Sequence, residues 1–255
     1  MAAQARVRLG NIHVDDVTFA QALDAIAAMV ADCRGGTVFT PNVDHVVMAA
    51  HDDRFRRAYE TADLSLADGM PVLWASRMLG TPLPEKISGS DLVLPLMDRA
   101  EREGWRVYIL GGAPGVGALA AARLVERFPR IQIAGTDAPR IDMDAPASSR
   151  APVLDRLRAA KADVVLVALG APKQEIFIAE AAPDLRPAVL LGVGAAIDFI
   201  AGTAKRAPRW MSSSGLEWLF RLLKEPRRMW RRYLVRDPEF LVIVLRAARA
   251  SRRAR

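Results

Sequence analysis

Apolar and polar positions follow two periods that alternate along most of the chain. Short runs rich in Val, Ile and Leu, several with every second position apolar, end at Gly, Pro or Asn, which is typical of β-strands. This pattern predicts strands at 6–14, as one strand or a hairpin, and at 37–40, 62–66, 106–110, 131–136, 164–169 and 189–193.

The segments between these runs carry apolar residues at helical spacing. Thr18 opens the first helix, and Gln21 follows in the order of a capping box. Helices are predicted from 18 to the glycines at 35 and 36, at 43–59, through 74–79, at 88–103, from 117 to 128, up to 160, and at 173–182. Strands that alternate with helices in this way favour an α/β fold with a doubly wound, mostly parallel, Rossmann-like sheet.

The strand pattern stops near residue 205, and helices are predicted at 212–224, at 226–235 and from 238 to about 250. Residues 205–255 hold 15 Lys and Arg against four acidic residues, whereas the other 204 residues hold 21 basic and 25 acidic ones. We therefore expect an α/β core, 1–204, and a basic helical appendage, 205–255, that meets an anionic partner.

Cysteine content and the lengths of the apolar runs indicate the cellular compartment of the protein. A single cysteine, Cys33, excludes an intrachain disulfide framework and favours a reducing environment. The first residues lack the apolar stretch of a signal peptide, and the apolar run 240–245 is far shorter than the ~20 residues that cross a bilayer. We expect a cytoplasmic protein without a membrane span.

Asp68 is the leading candidate for a reacting group. It follows the alternating segment 62–66 and precedes Gly69, and Pro71 suits the first turn of a helix. In open α/β sheets, ligands lie beyond the carboxyl ends of the strands, which makes Asp68 a candidate general base. The alternative is that its carboxylate only caps the helix that follows.

Two glycine-rich turns follow predicted strands, at 111–117 and at 170–174. Such turns present backbone N–H groups to phosphate oxygens, so Gly111, Gly112 and Gly170 are candidate nucleotide contacts. Lys173 could neutralise a phosphate, Gln174 could hold a base or a sugar edge, and Glu175 beside them is a further candidate for the donor site. The alternative is that Lys173 and Glu175 are solvated residues of a first helical turn.

The sequence favours no metal site. Asp142 and Asp144 match an Asp-x-Asp metal motif, but they lie in a polar loop rather than at a strand end. The three histidines are scattered along the chain. Any diphosphate charge would then be met by Lys, Arg and backbone dipoles.

Several motifs together resemble the WecG/TagA/CpsF family of glycosyltransferases, in the family's order and over nearly the whole chain. They are TPN at 40–42, ADG at 67–69, LGTPLPEK at 79–86, GAPKQE at 170–175, GVGAAIDF at 192–199, KRAP at 205–208 and GLEW at 215–218. The resemblance implies an inverting, metal-independent enzyme without a cofactor. Such an enzyme moves a hexose-type sugar, N-acetylmannosamine or its uronic acid among others, from a UDP-sugar to a polyprenyl-diphosphate-linked saccharide.

The resemblance also implies roles for particular residues. Asp68 looks like the family's catalytic base, with Thr40 and Asn42 beside it, and Gln174 looks like a donor-site residue. The appendage is similar to a membrane-docking segment of the family, whose arginines close over the active site on the inner face of the membrane. The residues matched to that closure are Arg221, Arg228 and Arg231. Lys86 stands where the family commonly has Arg, so it keeps the charge and loses the bidentate fork.

Two other classes of protein remain open at this stage. The turn at 111–117 followed by Asp137 imitates a dinucleotide site, with Asp137 at a distance that suits a nucleotide ribose, although the glycine spacing is unusual. Arginines interleaved with aromatic residues in the appendage would also suit a nucleic acid, but the same mixture suits an anionic membrane surface. The identity of the sugars and the oligomeric state are left open.

Overall fold

The chain begins with an antiparallel hairpin. The computed structural model describes residues 5–253, and of residues 209, 228 and 251–253 it describes the backbone alone. β1 (Arg6–Leu9) pairs with β2 (Ile12–Asp15) as a separate two-stranded sheet. The turn between them uses Gly10 at φ +59°. Of the two options predicted for 6–14, the hairpin is therefore confirmed.

The main sheet has six strands, all parallel, in the order β4-β3-β8-β7-β5-β6. The strands are β3 (Gly36–Phe39), β4 (Leu64–Ser65), β5 (Arg106–Gly111), β6 (Gln132–Asp137), β7 (Val164–Ala168) and β8 (Val189–Gly192). The predicted α/β class with a parallel sheet is confirmed. Because all strands run the same way, their carboxyl ends meet at one edge of the sheet.

Helices cover both faces of this sheet. They are α1 (Phe19–Ala31), α2 (Val43–His51), α3 (Asp53–Glu60), α4 (Met70–Met78), α5 (Gly89–Glu103), α6 (Val116–Arg127), α7 (Ala151–Ala160), α8 (Lys173–Leu185) and α9 (Ala196–Ala201). A 3₁₀ turn, Ala147–Arg150, precedes α7. Neighbouring strand residues alternate between two apolar clusters, so Tyr108 and Leu110 pack on one face and Val107 and Ile109 on the other.

Local sequence signals account for several helix ends. Thr18 and Gln21 form the expected capping box at the start of α1, and Ser88 caps α5. The prediction of one helix at 43–59 was wrong. The chain is extended at Asp52, at φ −118° and ψ 106°, and the Asp52 carboxylate accepts hydrogen bonds from the first N–H groups of α3.

The appendage is divided into more and shorter helical segments than its periodicity predicts. It contains α10 (Arg209–Ser213), α11 (Glu217–Lys224), α12 (Pro226–Trp230), a π-helical turn (Arg231–Arg236) and α13 (Glu239–Arg253). The predicted helix 212–224 is interrupted, because Gly215 takes φ +77° between α10 and α11.

The last helix packs on the body of the protein. α13 contacts α2, α4 and β1, and Phe240 and Val244 are buried in the core cluster that contains the hairpin. Within residues 5–253, no helix is both long and apolar enough to cross a bilayer.

Candidate active site

A large cavity lies at the carboxyl edge of the sheet. It encloses about 1120 Å³ and is lined by the turns after β3, β5, β7 and β8, by Asp68 after β4, and by residues of the appendage. This volume exceeds the about 1,000 Å³ at the upper end of ordinary small-molecule pockets. The cavity is therefore large for a site that holds one small molecule.

Asp68 faces this cavity and does not cap the following helix. Its backbone N–H donates to the Pro41 carbonyl oxygen over 3.0 Å, which ties the turn after β4 to the turn after β3. Gly69, at φ +102°, is the N-cap residue of α4, and no side chain caps that helix. The capping alternative for Asp68 is therefore wrong.

The Asp68 carboxylate lies in a strongly perturbed environment. Burial, and after it the negative charge of Glu217, raise the pKa of Asp68 to about 7, while Lys86 and Arg221 act in the opposite direction. A carboxyl with this pKa can take up and release a proton near neutral pH, as a general base must.

Thr40 and Asn42 lie beside Asp68 on the wall of the cavity. The Thr40 hydroxyl points to the Gly192 carbonyl oxygen at 3.4 Å, between the ends of β3 and β8. Asn42 caps α2, since its side-chain oxygen accepts from the His45 N–H over 3.3 Å, and the same oxygen accepts from Arg232 Nη2 over 3.3 Å.

His45 also lines the cavity but is a poor candidate for the base. Burial, and then the positive charges of Arg232 and Arg236, lower the pKa of His45 to about 3. Its Nδ1 hydrogen-bonds the Tyr59 hydroxyl over 2.6 Å. His45 is therefore a neutral, packed histidine at physiological pH.

Two of the three glycines that are candidate nucleotide contacts lie on the cavity wall. Gly112 and Gly170 line it, with φ of +78° and +73°. Gly111 lies beneath, where a Cβ would overlap the Ala168 carbonyl oxygen, and that oxygen accepts the Gly112 N–H over 2.8 Å. The turn after β5 is thus fastened to the end of β7, and glycine is required at position 111.

Lys173, Gln174 and Glu175 open α8 beneath the turn after β7, and they differ in exposure. Lys173 lines the cavity and its ammonium group lies 3.4 Å from the Ile141 carbonyl oxygen. The Gln174 amide is used within the protein, because Oε1 accepts the Gly194 N–H over 3.0 Å and Nε2 donates to Glu175 Oε1 over 2.8 Å. Glu175 is 1% exposed, so its interpretation as a solvated residue was wrong.

Glu175 carries an unusual carboxyl group. Its Oε2 has no hydrogen-bond partner among the described residues, and burial is the main reason that its pKa is raised to about 7. Glu175 does not line the cavity, which corrects its prediction as a donor-site residue; it supports Gln174 from below.

Other predicted site residues lie away from the cavity wall. Asp137 ends β6 at the edge of the sheet, where its carboxylate is paired with Arg156 at 2.6 Å. Lys86 stands behind the wall and pairs with Asp91 at 2.9 Å. Arg231 is exposed, with its guanidinium 5.5 Å from the Trp230 ring, and the side chain of Arg228 lies outside the described residues.

The appendage closes one side of the cavity with a set of cations that includes Arg221 from the predicted set and adds two others. Arg221 and Lys224 of α11 and Arg232 of the π-helical turn line it. The Asp44 carboxylate, at 4% exposure, holds Arg232 Nε at 3.2 Å and Arg236 Nη2 at 2.6 Å. The start of α2 therefore anchors the π-helical turn.

The Asp-x-Asp motif of the sequence lies in the loop after β6. The Asp144 N–H donates to Asp142 Oδ1 over 2.9 Å, and the Asp144 side chain is 98% exposed near Arg54. Among residues 5–253, no three His, Cys, Asp or Glu side chains converge in a way that could hold a metal ion.

A comparison with protein families decides between the functional classes. Residues 7–254 match the model of the Glycosyl transferase WecG/TagA/CpsF family. The chain belongs to this family. It is a glycosyltransferase, which confirms the resemblance in its motifs and overturns the oxidoreductase and nucleic-acid-binding alternatives as its main activity.

One curated relative has a name that specifies its reaction. The N-acetylglucosaminyldiphosphoundecaprenol N-acetyl-beta-D-mannosaminyltransferase of Bacillus spizizenii (strain ATCC 23059 / NRRL B-14472 / W23) is 36% identical over 218 residues. The match covers 86% of this chain and 82% of the relative. The similarity therefore extends over most of both chains.

Sequence reasoning missed several cavity residues of this glycosyltransferase, chiefly Asp44, His45 and Arg232. Asp44 and His45 follow Asn42 within the first turn of α2, so their nearness to the TPN motif was the available signal. That Arg232 rather than Arg231 lines the cavity depends on the π-helical turn. Such a turn is wider than an α-helical one, so its side chains point in directions that the regular α-helical spacing does not predict.

Proposed function

We propose that this glycosyltransferase moves a hexose-type sugar, with inversion, from a UDP-sugar to a saccharide linked to a polyprenyl diphosphate. The observation that carries the proposal is Asp68, a cavity carboxyl group whose pKa of about 7 suits a general base. The name of the Bacillus relative favours N-acetylmannosamine as the sugar transferred and N-acetylglucosaminyl-diphosphoundecaprenol as the acceptor.

In the proposed reaction, the acceptor hydroxyl attacks the anomeric carbon of the donor. The Asp68 carboxylate takes the hydroxyl proton as the new carbon–oxygen bond forms, and the bond to the UDP oxygen breaks. UDP leaves with the electron pair of that bond, and Asp68 is left protonated. One base suffices for this single displacement, whereas retention through two displacements would need a nucleophile as well.

Fixed positive groups would stabilise the negative charge that grows on UDP. Lys173, Arg221 and Lys224 are the candidates on the cavity wall, together with the backbone N–H groups of the turns at Gly112 and Gly170. The proposal assigns this role to the protein alone and includes neither a metal ion nor a cofactor.

We propose that the appendage, 205–255, docks on an anionic membrane surface at the inner face of the cell membrane. Large apolar side chains on it are exposed, among them Trp210 at 64%, Leu223 at 72% and Val235 at 64%. Apolar groups interleaved with Lys and Arg suit the headgroup region of a bilayer. Docking would bring the cavity to a lipid-linked acceptor, and cell-envelope polysaccharide synthesis is the matching process.

A donor screen tests the reaction. UDP release is measured with several UDP-sugars and a short-chain polyprenyl-diphosphate-linked N-acetylglucosamine, with and without a chelator. We expect UDP-N-acetylmannosamine to give the fastest release and the chelator to have no effect. Loss of activity on chelation, or release without an acceptor-linked product, would contradict the proposal.

Vesicle flotation tests the docking. We expect binding to vesicles that contain anionic lipid, weaker binding to neutral ones, and a decrease as salt rises. Equal binding to both kinds of vesicle would contradict a role for the basic charge. Binding to RNA or DNA at the same salt concentration would favour a nucleic-acid role of the appendage instead.

A further inference from the structure

Arg221 reaches the cavity from α11, and two contacts hold it there. Its Nη2 donates to Glu217 Oε1 over 3.0 Å, one turn earlier on the same helix. Its guanidinium lies 5.9 Å from the ring of Phe199, a residue of α9 that also lines the cavity. The ion pair with Glu217 is the only one of the two contacts that fixes a particular nitrogen of the guanidinium group.

The second oxygen of Glu217 is also held. The Ser212 hydroxyl donates to Glu217 Oε2 over 3.0 Å and accepts a hydrogen bond from the Lys86 ammonium group over 3.0 Å. Ser212 is 9% exposed, so water competes little for these hydrogen bonds. One hydroxyl group of α10 thus joins a lysine of the core to an acid of α11.

The contacts continue from Lys86 into α5. The Asp91 carboxylate lies 2.9 Å from the Lys86 ammonium group and 2.5 Å from Arg206 Nη2. An unbroken series of ion pairs and hydrogen bonds therefore runs from Arg206 to Arg221. Glu217 is the member that connects this series to an arginine on the cavity wall.

We propose that Glu217 is a positioning residue for sugar transfer. It holds Arg221 on the wall of the cavity beside Asp68, and through the Ser212 hydroxyl it keeps the appendage in register with Lys86. This inference rests on the proposed function for its catalytic consequence, but the placement of the charge can be tested without any substrate.

Electrostatics gives Glu217 a second effect on the site. After burial, its negative charge is the main cause that raises the pKa of Asp68; Asp91 acts in the same direction, and the positive charges of Lys86 and Arg221 act against both. A positioned arginine without this acid would lower the pKa of the base. With Glu217 present, the arginine can face the leaving diphosphate while Asp68 keeps a pKa near neutrality.

The competing interpretation is purely structural. Glu217 is the first residue of α11, and an acid at a helix N-terminus stabilises the helix through its dipole. In that case, its replacement would act through the stability of α11 alone, and it would lower activity by the same factor at every pH.

The test compares Glu217→Gln with Glu239→Gln in the full-length chain. Glu239 is an acid of the same appendage, but it pairs with His51 outside the cavity. Carboxyl ¹³C NMR of aspartate-labelled protein follows the titration of Asp68 without substrate, and Asp68→Asn identifies the signal. We expect the Asp68 midpoint, near pH 7 in the parent chain, to fall by roughly 0.5 to 1 pH unit in Glu217→Gln only.

The pH dependence of kcat/KM is measured on the same proteins. We expect its acidic limb to move to lower pH in Glu217→Gln by the same amount as the NMR midpoint. Ser212→Ala is expected to lower kcat by about fivefold to tenfold, because Arg221, which faces the leaving diphosphate, loses the support that it shares with Lys86, and Ser212→Thr is expected to restore kcat.

The two proposals fail in different ways. If the parent chain transfers no sugar in the donor screen, the proposed function is overturned, and the NMR titration still decides the placement of the Glu217 charge. If the parent chain is active and neither midpoint moves in Glu217→Gln, Glu217 serves only the helix and the inference is overturned.

Discussion

At the scale of single residues, the site is built from carboxyl groups that burial has made weak acids. Asp68 faces the cavity and Glu175 lies beneath it, and both have a pKa raised to about 7. Their positions differ in one respect: Asp68 can meet a substrate, whereas Glu175 touches only the protein. The same physical effect therefore supports chemistry at one position and affects stability at the other.

Replacing Asp68 by Asn is expected to reduce kcat by at least about a hundredfold, because the amide cannot accept the hydroxyl proton. The melting temperature at pH 8 should not fall, since the substitution removes a charge from a poorly hydrated position. UDP release and thermal unfolding measure the two effects. The control is Asp137→Asn, the same change at a strand end outside the cavity, which should leave UDP release within about twofold.

Replacing Glu175 by Gln is expected to change how stability depends on pH. The folded-state pKa of about 7 lies above the ordinary 4.5, so the native state holds the proton longer than the unfolded chain. Stability is therefore lost as pH rises from 4.5 through about 7, by on the order of 3 kcal/mol. Glu175→Gln stays neutral, and it should not show this loss.

Urea denaturation at several pH values between 4 and 8 measures the effect as a difference from the parent chain. Glu180→Gln is the matched control on the same helix, because the Glu180 carboxylate is 38% exposed and is paired with Arg54 and Arg150. An identical pH dependence in the parent chain and in Glu175→Gln would show that Glu175 is not protonated in the folded state.

At the scale of elements, the site depends on how short segments are fastened to one another. The turns after β3, β5, β7 and β8 are joined by backbone and side-chain hydrogen bonds, such as that from Gly194 to Gln174. The π-helical turn is fastened by ion pairs to Asp44 at the start of α2. Release of that anchor would open the side of the cavity that Arg232 closes.

Replacing Asp44 by Asn is expected to loosen the π-helical turn. Arg232 and Arg236 would lose a buried counter-ion, which costs more than about 1.4 kcal/mol and so raises local opening at least tenfold. Tryptic cleavage after these two arginines, followed by mass spectrometry, should accelerate accordingly. Asp53→Asn is the control, because Asp53 pairs with Arg56 on the exposed side of α3. Unchanged cleavage in Asp44→Asn would contradict the anchoring role.

At the scale of the whole molecule, α13 presents two different faces. Val244 is 2% exposed and belongs to the core cluster, whereas Val242 is 44% exposed on the same helix. The appendage is thus fixed to the core by one face, and it leaves an apolar face for the proposed membrane contact. The division of the chain at residue 204 stays a prediction, because this packing joins the two parts closely.

The same Val→Ala change is expected to have different effects on the two faces of α13. Val244→Ala is expected to lower the free energy of unfolding by about 1 to 3 kcal/mol, since it leaves a cavity in the core. Val242→Ala should leave the melting temperature unchanged and weaken binding to anionic vesicles severalfold, because less apolar surface enters the bilayer. Thermal unfolding and flotation are measured on both variants. The docking proposal fails if Val242→Ala binds vesicles as tightly as the parent chain.

Local sequence determined much of this protein because the relevant interactions are local. Strand and helix periodicity, the capping box at Thr18 and the glycines after β5 and β7 each act within a few residues. The α/β class, the parallel sheet and the position of Asp68 at a strand end followed from them. The family motifs, read in order along the chain, supplied the class of reaction.

Only the tertiary structure decided which side chains meet. The strand order brings Asp68, Asn42 and Gly170 to one cavity and leaves Asp137 at an outer edge, because distant segments pair in ways that local periods do not encode. The π-helical turn selects Arg232 over Arg231, and burial is the main reason that Glu175 is a weak acid. Pairing of distant strands, rotation of a helix face and exclusion of water are properties of the folded chain.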